Sequence, residues 1–400
     1  SVPPNSVESK SAMSKSDIVI AGYSETPVVF KSGRSAYDFA GEALASLIEA
    51  TGIEKDVIDG LSVTVPLSEA SNPFFAVYMA DGLGISPTWL NYGGIGGCSA
   101  TGGVARAMSA IRDGYCEVAV VLSADAPSTS WRANYGAFRG EFQDPVGVQG
   151  PPAMFGLLMN RYAHQYDLKD EALAKIATVQ REHALLNDNA LEKFRKPLTT
   201  EDYMASRVVA DPLRMLDSVM FCDGANAFLV MTQERAQQLG IKKTVRPAAY
   251  AELTNVNGNI ACPDITETGF SHIGPKVFAK AGLKPSDVSM FQPYDDFTIA
   301  VLMQFEDFGF CKRGEGSDFI LANDISYKGN IPLNTGGGQI SAGQPGLASG
   351  GLNLAEAVRQ LFGEGGKRQV KAPKNALVTG IGVIPYGRNW GTSAAMILEA

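Results

Sequence analysis

Residues 91–105, NYGGIGGCSATGGVA, run a glycine-rich turn into a helix and place one cysteine, Cys98, at its crest. A thiol there has two readings. At a helix N-terminus the macrodipole and the backbone N–H groups lower its pKa and prepare it to attack a thioester. A free cysteine is also a small hydrophobe that fills a tight corner. The base that a thiol nucleophile needs is scarce, because the chain has three histidines, His164, His183 and His272, all in segments that read as helix. The five cysteines, Cys98, Cys116, Cys222, Cys262 and Cys311, show no CxxC spacing. That pattern argues against a structural zinc site and a disulfide framework, so no metal site is expected.

The elements that must position such chemistry can be read from pattern. The strand DIVIAGYSE, the amphipathic helix SAYDFAGEALASLIEATG and the strand GLSVTVP are followed by the helix ATGGVARAMSAIRDG and the apolar run EVAVVLSAD. That run suits a strand buried on both faces, and the alternation defines an α/β chain. Residues 38–61 and 269–291 share a helix, a Gly-aliphatic break (Gly52-Ile53, Gly282-Leu283), an Asp-Val pair and a strand. Downstream, a glycine turn, a helix and a strand recur in GGGQISAGQPGLASGG, LNLAEAVRQLFG and NALVTGIG, which reads as a duplication. The organisation expected is a disordered leader over 1–16 with Met13 as a candidate start, and an N-terminal half over 17–126 and 218–250. An inserted helical loop or lid over 127–217 and a C-terminal half over 251–400 complete it.

Composition sets the outer bounds. With 45% hydrophobic and 19% charged residues over 400 positions, the chain is long enough for one large or two medium cores. A net charge of −8 offers no basic field for nucleic acid. No window approaches the roughly 18 consecutive apolar residues of a membrane span. A reduced, cytoplasmic location is expected.

The blocks IGGCSATGGVARAMSAIRDGYCEVAVVLSAD, DGANAFLV, QPYDDFT and NTGGGQISAGQPGLASGGLNLAEAVRQL, in this order, resemble the thiolase superfamily over residues 17–400. The branch they are most similar to is that of the sterol-carrier, lipid-transfer thiolase-like proteins. The resemblance implies a duplicated, five-layered αβαβα fold, an acyl-CoA substrate and a dimer with its central helices near the interface. The apolar sheet edge that the central strands would otherwise expose predicts a homodimer with GYCEVAVVLSAD and the glycine turn before it near that interface. In thiolases a cysteine at the N-terminus of the central helix attacks the thioester, a histidine in a GHPxG block activates it, and a second cysteine sits in a C-terminal CxG block.

This sequence departs at each of those places. The nucleophile's position falls on Gly97, one residue before Cys98; the histidine of GHPxG is Gln344, which takes no proton near neutral pH; and the CxG block reads Gly380-Ile381-Gly382. The three histidines lie outside the matching blocks and read as packing or surface residues. What remains is backbone at Gly97, Gly382, Gly343 and Ala342 for holding a thioester oxygen, with Tyr294, Asp295, Gln344, Tyr386 and Cys98 as candidate catalytic groups. Tyr294 and Tyr386 are read as proton carriers and Asp295 as a relay. Packing roles stay open for both tyrosines, and helix capping for Asp295 and especially Asp296. The expected reaction is retro-aldol cleavage of a β-hydroxyacyl-CoA, as in the steroid side-chain lyases that work with a zinc-ribbon/OB-fold partner of the DUF35 type. An acyltransferase using Cys98 and a non-catalytic acyl-CoA or lipid carrier are the alternatives. No cofactor beyond the CoA thioester substrate is expected.

Overall fold

The computed structural model describes residues 13–131, 143–384 and 388–400. The leader expected over 1–16 falls outside these residues up to position 12, as does Tyr386. The strands are β1 (Ile18–Glu25), β2 (Gly60–Thr64), β3 (Trp89–Gly93), β4 (Ala119–Asp125), β5 (Val208–Ala210), β6 (Leu213–Arg214), β7 (Gly224–Thr232), β8 (Arg246–Thr254), β9 (Phe291–Gln292), β10 (Asn375–Gly382) and β11 (Thr392–Glu399). One sheet runs β1-β7-β4-β2-β3 and a second runs β8-β11-β10-β9, with β5 and β6 pairing as a separate hairpin.

The duplication is visible in the pairings. β1–β7 and β7–β4 are antiparallel and β4–β2 is parallel; β8–β11 and β11–β10 are antiparallel and β10–β9 is parallel. Each half also carries a helix stopped by a left-handed glycine, Gly52 after Ala36–Thr51 and Gly282 after Phe270–Ala281. The first of these helices shows why it forms. Its buried positions 36, 39, 40, 43, 44 and 47 recur at helical spacing, and the Ser35 side chain accepts the Asp38 N–H at its start.

Five layers follow from which side chains are buried together. Alternate residues of β4 and β7 point to opposite faces, and both faces are covered. Val120, Leu122 and Leu229 pack under Phe39, Leu47 and Phe75 of the outer helices. Val121, Phe228 and Val230 pack inward with Val104 and Ala107 of the first central helix, Ser99–Arg112, and Leu354 and Val358 of the second, Ser349–Leu361. The same inner cluster takes Val378 of β10 and Met396 of β11. The far face of the second sheet buries Leu377, Ile381 and Ile397 with Phe270 and Phe305 and with Phe155, Leu158 and Ile176 from the segment after β4. Continuous apolar runs in β4 and β7 are thus the signature of a sheet covered twice.

β4 lies inside its sheet with all seven residues buried, so it is not the free apolar edge expected of it. The exposed edge is β3, which leads into the glycine turn. Leu90 on it, and Phe74, Val77 and Tyr78 at and near the start of the Phe75–Leu83 helix, are all exposed. β8 joins the second sheet from Arg246 onward; we propose dividing the halves there and not at 250/251. Among the described residues no helix is long and apolar enough to cross a membrane.

Candidate active site

A cavity of about 490 Å³ opens where the glycine turn, the loop after β9 and the loop before the second central helix converge. Gly96, Gly97, Tyr294, Asp296 and Gln344 form its polar end. Apart from Ser218, the rest of its wall is apolar, with Trp131, Phe155, Phe221, Phe297 and Leu347 among its largest side chains. A long, largely apolar acyl group matches that lining.

Tyr294 is held at both ends. Its N–H donates to Thr379 Oγ1 (2.8 Å) and its carbonyl accepts from Gln304 Nε2 (2.9 Å). Its phenol lies 2.8 Å from Ser349 Oγ and receives Gln344 Nε2 at 3.4 Å. A Cβ built on Gly97 would overlap Cζ, Cε2 and Oη of the Tyr294 ring. The phenol therefore fills the space that a side chain at position 97 would enter, and position 97 must be glycine for it to fit. Burial and the neighbouring Asp296 push the phenol well above its ordinary pKa, so it rests as a proton donor.

The two aspartates of YDDFT part ways. Asp295 turns away from the cavity and accepts from Gln180 Nε2 (2.6 Å), Asn353 Nδ2 (3.1 Å), Gln339 N (3.0 Å) and Ile340 N (3.1 Å). Burial pushes its carboxyl up to about 6 while these donors hold it down. Four donors and no cavity wall make it a clamp on the glycine-rich loop, which corrects its expected role as a relay. Gly338, with φ of +59°, lets that loop pass, since a Cβ there would overlap the Asp295 carboxylate. Asp296, expected as a helix cap, lines the cavity instead. The Thr298–Asp307 helix has Phe297 at its N-cap with no side-chain cap bond, and Asp296 Oδ1 is buried without a partner. Burial first, and the adjacent Asp295 charge second, push its carboxyl well above the usual range.

Gln344 reaches the cavity because Gly343, at φ of +102°, turns the chain, and its backbone is tied to Met220 O and Cys222 N. Gly343 and Ala342 do not line the cavity; Ala342 O accepts Leu191 N and a Cβ on Gly343 would strike Val28, so both are supports. Gly382 likewise backs onto the turn, where a Cβ would meet Ile95 O at 2.7 Å, and lies in register with Thr392. Of the four backbone positions, Gly97 alone borders the cavity.

Cys98 does not. Its thiol is buried against Thr392 O at 3.4 Å, its N–H closes the turn onto Ile95 O, and burial pushes its pKa far up. A buried, protonated thiol facing a strand is no nucleophile. His164 and His272 are exposed; His183 is buried and bonds Asn334 O and Tyr327 N. Among the described residues no group of three or more His, Cys, Asp or Glu is placed to hold a metal. Sequence reasoning missed Asp296 and Ser349 as site residues. The repeat held a signal for the second: Ser349 opens its central helix as Ser99 opens the first.

Comparison with known proteins identifies the family. The family model described as thiolase C-terminal domain-like matches residues 251–399. A steroid side-chain-cleaving aldolase of Thermomonospora curvata is 32% identical, the match covering 92% of this chain and 96% of that protein. A 17-hydroxy-3-oxo-4-pregnene-20-carboxyl-CoA lyase of Mycobacterium tuberculosis is 30% identical over 92% and 97%. The solved Ltp2-ChsH2(DUF35) aldolase superposes with a TM-score of 0.85 at 30% identity, over 96% of this chain and 98% of that one. A monomeric SCP2-thiolase-like protein of Mycobacterium smegmatis shares the fold at a TM-score of 0.73 and 20% identity, over 97% and 78%. The chain belongs to the thiolase superfamily, in its lipid-transfer, SCP2-thiolase-like branch.

Proposed function

We propose that this protein is a carbon–carbon lyase that cleaves a β-hydroxyacyl-CoA by retro-aldol chemistry, with a bulky acyl group of the steroid side-chain type. The observation that carries the reading is the Tyr294 phenol standing where a residue at position 97 would project, so that an acid–base group replaces a covalent nucleophile. Asp296, in its ionised form, takes the proton of the β-hydroxyl. The oxygen's electrons form the ketone carbonyl as the Cα–Cβ bond breaks, and that bond pair becomes the enolate of the shortened acyl-CoA. Tyr294 gives its proton to Cα, and product exchange with water returns the proton from Asp296 to the tyrosinate. The raised basicity of Asp296 suits it to abstract a proton from an alcohol.

The apolar wall favours a fused-ring or similarly broad ketone product. The substrate's CoA, the likeness to a DUF35-associated aldolase and the exposed apolar edge at β3 support three further parts of the proposal: a cytoplasmic setting, a zinc-ribbon/OB-fold partner and a homodimer. Incubation with a β-hydroxyacyl-CoA carrying a tertiary β-hydroxyl should release a ketone and a shortened acyl-CoA in equal amounts. Asp296→Asn should lower that turnover by roughly 10²–10⁴. A stable acyl adduct on Cys98 with no ketone released would refute the reading.

A further inference from the structure

Between Asp295 and Tyr294 runs an unbroken series of side-chain amides, and we infer that it sets the direction of the hydrogen bond that Gln344 makes to the phenol. On this inference, which rests on the role proposed for Tyr294, Gln339 and Asn353 are positioning residues for the proton transfer. The direction follows from atoms that have no choice. Asn353 Nδ2 faces the Pro293 carbonyl (2.9 Å) and Asp295 Oδ1 (3.1 Å), neither of which can donate when the carboxylate is ionised. The amide face of Asn353 is therefore fixed, and its Oδ1 must accept from Gln339 Nε2 at 2.9 Å. Gln339 Oε1 is then left to accept from Gln344 Nε2 at 3.0 Å. The Gln344 amide so held turns its N–H side, and not its carbonyl, to the phenol oxygen.

That choice matters because glutamine is symmetric in shape and opposite in chemistry at its two ends. A carbonyl aimed at Tyr294 would hold the phenol's proton and oppose the negative oxygen that forms when the proton leaves. An N–H aimed there leaves the proton free and stabilises the tyrosinate, as hydrogen bonds to a charged form do. Ser349 Oγ, 2.8 Å from the phenol oxygen, can also donate to the tyrosinate, but a hydroxyl rotates to donate or accept, whereas the Gln344 amide is fixed as a donor. Gln339 is wholly buried and Asn353 nearly so, and neither borders the cavity. The Gln339 side chain bonds Asn353 and Gln344, so it reaches the phenol through Gln344, whereas Asn353 also holds Pro293 and Asp295 on either side of Tyr294; Gln339 is therefore the residue to vary.

The experiment is a set of steady-state measurements on Gln339→Leu, Gln344→Leu, Tyr294→Phe and the double variants, with melting recorded for each. Gln339→Leu should lower kcat about 10-fold at nearly constant KM, the scale of one hydrogen bond to a charged group. Added to Gln344→Leu or to Tyr294→Phe, it should lower kcat no further. If Gln339→Leu does not fold, Gln339→Met carries the same test with a more adaptable side chain. Unchanged kcat in the folded variant, or an equal loss in the Tyr294→Phe background, overturns the inference. Retention of turnover by Tyr294→Phe itself overturns the reading beneath it, whereas loss there with no effect of Gln339→Leu overturns the amide series alone.

Discussion

On the proposed function, a tyrosine in the space beside a glycine turn directs an acyl-transfer scaffold toward acid–base chemistry. Tyr294→Phe removes one oxygen and keeps the ring that packs on Gly97, so folding should persist while kcat falls by roughly 10²–10⁴. A variant that melts several degrees lower with its turnover intact would mark the hydroxyl as structural. Cys98→Ala should behave in the opposite way, keeping most of its turnover. Its thiol meets a strand carbonyl and not the cavity. A loss near 10⁴, the scale of deleting a covalent nucleophile, would contradict that. At this scale the sequence was partly legible. The glycine at 97, the glutamine at 344 and the tyrosine at the head of YDDFT mark the loss of thiol chemistry without the fold in hand. Which of two adjacent carboxylates faces the cavity was not legible, because a loop carries no period. The four donors that claim Asp295 come from residues 58 or fewer positions downstream and, in Gln180, from 115 positions upstream.

At the scale of elements, the Asp170–Leu185 helix is pinned to the loop before the glycine-rich turn by His183. Its Nδ1 donates to Asn334 O at 3.1 Å and its Nε2 accepts Tyr327 N–H at 3.0 Å, an arrangement that only the neutral ring can make. Burial lowers its pKa from 6.5 to about 4. A group held neutral in this way contributes its full stabilisation above pH 6.5 and loses it as pH falls toward 4, by about 3 kcal/mol at most. Asp295 and Asp307, pushed up to about 6 and about 7, act in the opposite sense, since their contribution falls as pH rises through the same interval. The informative quantity is thus a difference. The stability gap between the wild type and His183→Gln, measured by urea denaturation, should narrow as pH falls from 6.5 to 4, and a constant gap would exclude this role. The helix itself was legible from its period, but the histidine's partners were not, being 144 and 151 positions away.

For the whole molecule, the duplication is what made the architecture readable. A helix, a Gly-aliphatic break and a strand occurring twice in the same order imply two sheets of like topology, and the pairings of both sheets agree. The edge was harder to place, since β4 reads as more apolar than β3 and yet lies inside its sheet. Strand order depends on crossovers that periodicity does not report. Phe74, Val77, Tyr78 and Leu90 form an exposed apolar face beside β3, and sedimentation should show at least a dimer at micromolar concentration. A stable, active monomer would count against it.

The contact between Gly97 and Tyr294 also constrains redesign. The turn comes from one half of the duplication and the phenol from the other, and no side chain at 97 can coexist with the ring as it lies. A covalent nucleophile at 97 and the tyrosine ring in this position are therefore mutually exclusive, and installing one by mutation requires removing or moving the other.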